Sequence, residues 1–186
     1  ALGPVAAAVL PAPEAWPQAV LAAIAFAAAG AAGAWFLLRG LTVRALAASA
    51  AGAVVAHGVL FGLAAPALKP LWLSQRAADA LSHADLTPRE GITAGPVASA
   101  GYDEPSLVFA LGAKTELGDG QTAADAIADG RPAIVEQRQQ AAFARALAAN
   151  GDAARPVAVI EGLDYSNGRH DILRLYRPAP EAKETP

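Results

Sequence analysis

Gln18 to Leu38, QAVLAAIAFAAAGAAGAWFLL, runs for 21 residues without a charged side chain. A helix of that length rises about 30 Å, the thickness of a bilayer's hydrocarbon core. A second uncharged run extends from Ala45 to Leu68, and only Ser49 and His57 break its apolar character. A short turn, Arg39-Gly40-Leu41-Thr42-Val43-Arg44, joins the two runs. The reading is a pair of transmembrane helices over residues 18–38 and 45–68, within a membrane region spanning 15–68.

Charge divides the rest of the chain. Residues 69–186 hold 12 of the 14 basic and 16 of the 17 acidic side chains. A mean hydropathy of +0.32 with 54% hydrophobic residues fits such a mixed protein. The charged part is mildly acidic and offers no general basic surface, so nucleic acid is not an expected partner. There is no cysteine, hence no disulfide framework, thiolate metal site or cysteine nucleophile. The first residues, Ala1-Leu2-Gly3-Pro4 and the apolar run to Leu10, lack the basic region of a signal peptide. Residues 1–14 read as the tail of an earlier hydrophobic segment with its loop, and the chain as the C-terminal part of a longer protein.

Both arginines of the membrane half lie in the short turn, which the positive-inside rule keeps in the cytoplasm. Residues 69–186 are then expected outside, in the periplasm of a bacterial inner membrane. Trp16, Trp35 and Trp72 fall at span ends, where an interfacial belt places them. Gly30, Gly33 and Gly58-x-x-x-Gly62 suit close helix packing, and alanine and glycine are also simply abundant here. His57, near the middle of the second span, is the intramembrane polar candidate. Its ordinary alternative is a neutral imidazole hydrogen-bonded to a neighbouring helix.

Apolar residues at helical spacing from Leu71 to Leu81 predict an amphipathic linker, residues 69–90, at the membrane surface. Thr87-Pro88-Arg89-Glu90-Gly91 punctuates the chain and opens a domain over 91–177. Strands are expected at 97–100, 115–117 and 133–136, and helices at 106–111, 122–129 and 138–149. This alternation argues an α/β layered domain. Two β-rich runs, 157–165 and 170–176, flank Ser166-Asn167-Gly168-Arg169 and predict a terminal β-hairpin, with 178–186 a disordered tail. The fold class is two transmembrane α-helices followed by a small extracytoplasmic α/β domain ending in that hairpin.

Candidate chemistry is sparse. Gly118-x-Gly120-x-x-Ala123, with Glu136 after the next strand, mimics a dinucleotide fingerprint, but Asp119 in the loop would repel a pyrophosphate. A turn with a helix cap explains the glycines as well. His83 and His170 stand far apart without metal-ligand spacing, so no metal site is expected in this part. Ser106 lacks a nucleophile-elbow context, and capping the helix that starts at Pro105 is its simpler role. Tyr102, Asp103 and Glu104 stand where a strand gives way to a helix. There carboxylates are stabilised by the helix dipole, and there an open α/β sheet also presents polar groups to a ligand or a neighbouring domain. Tyr102, Asp103, Glu104 and Ser106 are the substrate-binding or interdomain candidates.

GYDEPSLVFALG from Gly101, with the later stretch Gly162-Leu163-Asp164-Tyr165-Ser166-Asn167-Gly168-Arg169, resembles the C-terminal region of bacterial membrane glycosyltransferases of family 39. That family is related to protein O-mannosyltransferases and to lipid A aminoarabinose transferases. The resemblance covers residues 15–177 and implies many spans before a periplasmic domain. It implies transfer of a sugar from a polyprenyl phosphate donor to a lipid or glycan acceptor outside the membrane. The family's catalytic aspartate lies in an early extracytoplasmic loop that no position here matches, so this part would be accessory, without a cofactor of its own, and any divalent metal would belong to the parent. The competing expectation is a membrane-anchored binding or scaffold module without catalysis.

Overall fold

The computed structural model describes residues 15–88, 95–164 and 166–179. The expectations for residues 1–14 and for the tail beyond Ala179 lie outside the described residues. The chain divides into two compact units, Ala1–Leu71 and Trp72–Pro186.

The first unit is a helical hairpin. Helix α1 is Trp16–Leu38, and α2 covers Thr42–Ala67. Both are long and apolar enough to cross a membrane, with mean hydropathies of 2.0 and 1.8. Thr42 and Val43, expected in the turn, are helical because Leu41 ends the turn and its carbonyl receives the Ala45 N–H at 2.9 Å. Near its end α2 widens into a π-helical turn, Leu60–Ala64, before the last turn, Ala65–Ala67. Pro66 in that last turn has no N–H to give the preceding turn, and a widened turn accommodates the loss.

Small residues bring the helices together. Gly33 lies directly against Ser49, and a Cβ on Gly52 would stand 2.6 Å from the Ala29 Cβ. Gly30, Gly58 and Gly62 have open space around them, so the close approach runs through Gly33 and Gly52. His57 donates from Nδ1 to the Ala53 carbonyl at 2.7 Å and sits between Phe26 and Phe61, with ring centroids 5.1 and 6.1 Å away. Its first ring nitrogen is therefore satisfied within its own helix.

The second unit is a mixed five-stranded sheet with helices on both faces. Its elements are α3 (Leu73–His83), β1 (Ala98–Ala100), α4 (Pro105–Leu111), β2 (Glu116–Gly118), α5 (Gly120–Ala128), β3 (Ala133–Glu136), α6 (Gln140–Asn150), β4 (Ala154–Asp164) and β5 (Arg169–Pro178). Strand order is β2-β1-β3-β5-β4; the first three run parallel, and β5 is antiparallel to both β3 and β4. Pro178, expected to open the tail, is the last residue of β5, and Ala179 N–H donates to the Ala153 carbonyl at 2.9 Å.

Alternation along the strands separates two cores. Ile134, Leu173 and Leu175 face Leu73, Ala77 and Leu81 of α3 and Leu107 and Leu111 of α4. On the other face Ala133 and Val135 meet Ala123, Ala124 and Ile127 of α5 and Phe143 and Ala146 of α6. The helix expected as a linker thus contributes to the first core, and Arg76 ties it to β4 through the Glu161 carbonyl at 2.6 Å.

Local signals fix the ends. Pro105 opens α4 with the φ a first turn needs, and Gly151 closes α6 in the left-handed region at φ 76°. Asp119 caps α5 by accepting from the Gln121 and Thr122 amides, and Thr122 returns the contact. Those amides hold Asp119's carboxyl below the ordinary carboxylate range, the Thr122 N–H most of all. The edge strand β4 carries a bulge between Pro156 and Ala158, while β2, at the other edge, is three residues long.

Candidate functional site

The loop after β1 leads to α4 on one face, whereas the segment after β3 leads to α6 on the other. Adjacent parallel strands that send their chains to opposite faces open a crevice at their carboxyl ends, where α/β sheets bind ligands. The turn end of the β4–β5 hairpin lies at this same end, because Glu136 pairs with Leu173 and Asp164 with Arg169.

Three of the predicted residues come together here. Tyr102 is buried, and its hydroxyl hydrogen-bonds with Ser74 Oγ at 2.9 Å; Ser74 Oγ also bonds with Ser106 Oγ at 2.8 Å. Ser99 Oγ donates to the Tyr102 carbonyl at 2.6 Å and holds the loop against its strand. Ser106 therefore belongs to a chain of hydroxyls between α3 and α4. Glu104 occupies the N-cap position of α4 with its side chain buried and not capping the helix. Asp103 is exposed. His57 belongs to the other unit.

Instead of capping, Glu104 hydrogen-bonds with the Asp164 side chain. Asp164 Oδ1 also accepts from Ser166 N–H at 2.9 Å and Ser166 Oγ at 2.6 Å, and Oδ2 from Asn167 Nδ2 at 2.6 Å. Burial opposes its ionisation, yet these donors together hold its carboxyl below the ordinary range.

Two further carboxylates complete the cluster. Glu136 closes β3, 3% exposed, and its Oε2 accepts from Arg138 N–H at 3.0 Å and Nε at 2.9 Å. The same guanidinium reaches Asp171 Oδ1 at 3.8 Å, an ion pair too long for a hydrogen bond. Burial, with the Glu136 and Asp164 charges, pushes the Asp171 carboxyl up. Gly101, at φ 81°, gives these groups room: a Cβ there would stand 2.7 Å from Gln139 Cγ and 3.3 Å from Glu136 Oε2.

A pocket of about 290 Å³ opens at this edge, lined by Glu136, Gln137, Arg138, Arg169, His170, Asp171 and Ile172. Sequence reasoning made Glu104 a site candidate, met Glu136 only in the glycine fingerprint and Asp164 only within a quoted stretch, and passed over Asp171. A signal for Asp171 existed: it shares the inward phase of β5 with Leu173 and Leu175, where a carboxylate is out of place.

The glycine fingerprint resolves into packing. Gly120 N–H donates to Gln139 Oε1 at 3.1 Å, and a Cβ on Gly120 would strike the α6 backbone, 2.5 Å from Phe143 N. With the Gln121 and Thr122 amides held by Asp119, the start of α5 has no amide to spare for a phosphate. No family model, curated protein or solved structure matches the chain.

Proposed function

We propose that this chain is the C-terminal, accessory part of an integral-membrane glycosyltransferase of family 39, moving a sugar from a polyprenyl phosphate carrier to an extracytoplasmic lipid or glycan acceptor. In this reading α1 and α2 cross a bacterial inner membrane with the Arg39–Arg44 turn in the cytoplasm, and residues 69–186 stand in the periplasm. The observation that carries it is the joining of the two stretches that bear the resemblance: Glu104 of GYDEPSLVF and Asp164 of GLDYSNGR hydrogen-bond at the carboxyl ends of the sheet. A motif pair that meets in space is one structural feature, not two coincidences of composition. The order of parts, two candidate spans and then an α/β domain, also suits the family's topology. The reaction centre would belong to the preceding part of the parent, and any divalent metal with it.

The test is the native polypeptide itself. Membranes carrying it should transfer label from a polyprenyl phosphate sugar to a lipid or glycan acceptor, and the intact mass of the endogenous protein should exceed 18.7 kDa by several spans' worth of chain. An endogenous mass of 18.7 kDa without transfer would favour the second reading, a membrane-anchored binding module. The observation on that side is the pocket beside Asp171, which needs no further part to be a binding site.

A further inference from the structure

At the pocket the domain's polar inventory does not close. Asp171 is 4% exposed, lines the pocket, and has an Oδ2 atom without a hydrogen-bond partner. Gly162 pairs with it across the hairpin and sets no side chain against it. Buried carboxylate oxygens are ordinarily supplied with donors, since desolvation without one is costly. What the site lacks is an N–H or O–H brought from outside.

The charges around that atom decide what would bring it. Glu136 and Asp171 are offset by Arg138 and Arg169, and Gln137 and His170 add further polar groups. An anion would meet two buried carboxylates, and Asp164 is near enough to raise Asp171 further. A metal cation would meet two guanidiniums, and among the described residues no group of three or more His, Cys, Asp or Glu side chains is placed to hold one. A neutral ligand rich in hydroxyls fits both halves, donating to the carboxylate and accepting from the guanidiniums. The volume, about 290 Å³, lies at the small end of ligand pockets and suits a single ring.

We propose that this pocket binds one neutral sugar ring, a turn of the Asp171 carboxylate about its terminal bond presenting the buried Oδ2 to a donating ring hydroxyl while other hydroxyls accept from Arg138 and Arg169. Choosing a sugar over another polyol rests on the proposed function, and within it the pocket is a glycan-holding site separate from the reaction centre. Among the described residues no Phe, Tyr or Trp lines it, so recognition there is mainly by hydrogen bonds and the affinity is about millimolar, as small polar ligands without stacking show.

The experiment uses the full chain in lipid nanodiscs and saturation-transfer difference NMR with methyl α-D-glucopyranoside, methyl α-D-mannopyranoside and methyl β-D-galactopyranoside. At least one should give a saturable signal, with affinity weakened about tenfold by Asp171→Asn and about threefold by Arg169→Gln, the loss of one or two hydrogen bonds. Arg169 is exposed, so its variant decides the matter if Asp171→Asn does not fold. No saturable signal from any glycoside, or one that both folded variants leave unchanged, overturns the proposal. So does thermal stabilisation by inorganic phosphate or methylammonium chloride where the glycosides give none. Glycoside binding without sugar transfer by the native polypeptide would defeat the transferase reading alone, and transfer without binding would defeat this pocket alone.

Discussion

Glu104 and Asp164 are both buried and hydrogen-bonded to each other through their side chains. Two carboxyl groups share such a bond only with a proton between them. Asp164 already accepts from two Ser166 donors and from Asn167, all of which favour its ionised form, so we predict that the shared proton sits on Glu104. Glu104→Gln supplies a neutral donor of the same shape and should change unfolding stability by less than about 1 kcal/mol. Asp164→Asn removes the charge from three donors and should cost about 2–4 kcal/mol. Thermal unfolding of the full chain in micelles measures both, and equal losses would refute the assignment of the proton.

Asp164 and Asp171 impose opposite pH dependences. The folded-state value of Asp164 is depressed, so its stabilisation is present above the ordinary carboxylate value of 3.8 and is lost as pH falls through the depressed value. That of Asp171 is raised, so ionising it costs stability as pH rises from 3.8 through the raised value. Relative to the parent chain, over the acid range on both sides of 3.8, Asp171→Asn should therefore gain stability as pH rises above that value, and Asp164→Asn should lose it as pH rises towards that value and stay level above it. Melting curves across that range would show two slopes of opposite sign.

Gly101 and Gly120 are predicted to be intolerant of alanine for different reasons. Gly101 has φ 81°, and Gly101→Ala should cost about 1–2 kcal/mol from the left-handed backbone alone. A methyl at Gly120 meets the α6 backbone, and Gly120→Ala should cost about 1–3 kcal/mol through overpacking of α5 on α6. Gly130→Ala is the control for Gly101, with φ 79° and open space around it, so that the difference between the two reports the contact with Gln139 and Glu136.

The absence of cysteine makes topology directly testable. Single cysteines placed at Gly40 and Asn167 report on the turn and the hairpin. In spheroplasts a membrane-impermeant maleimide should label Asn167→Cys at once and Gly40→Cys only after permeabilisation. The reverse pattern would invert the orientation, and labelling of both without permeabilisation would count against two crossings.

Ser74 links α3 to the loop after β1 through its bonds with Tyr102 and Ser106. Ser74→Ala should cost about 1–3 kcal/mol, the penalty for buried hydroxyls deprived of a partner, and should loosen α3 first. Hydrogen exchange at the α3 amides is the measurement, and unchanged protection there would show that apolar packing alone holds the helix.

Legibility followed the range of the forces involved. The apolar lengths of α1 and α2, Pro105 before α4, Asn167-Gly168 in the hairpin turn and the short apolar run of β3 are local signals, and each element formed within a few residues of its expected place. The role of α3 was not local. An amphipathic pattern shows that one face wants cover but not by what, and Leu73, Ala77 and Leu81 are covered by the sheet. The carboxylate cluster was still less visible, because Glu104, Glu136, Asp164 and Asp171 converge only through strand order, which places β3 between β1 and β5. The hairpin turn could be read from Asn167-Gly168, whereas the neighbours that its turn end would face could not.

The bulge at Pro156 and the brevity of β2 bear on how copies of this domain meet one another. A sheet ends in rows of unpaired amides and carbonyls that invite a strand from the next molecule. Here one row is interrupted by a proline and a shift of register, and the other extends only from Glu116 to Gly118. Copies of the domain crowded against one another are thus denied a continuous seam along which to polymerise.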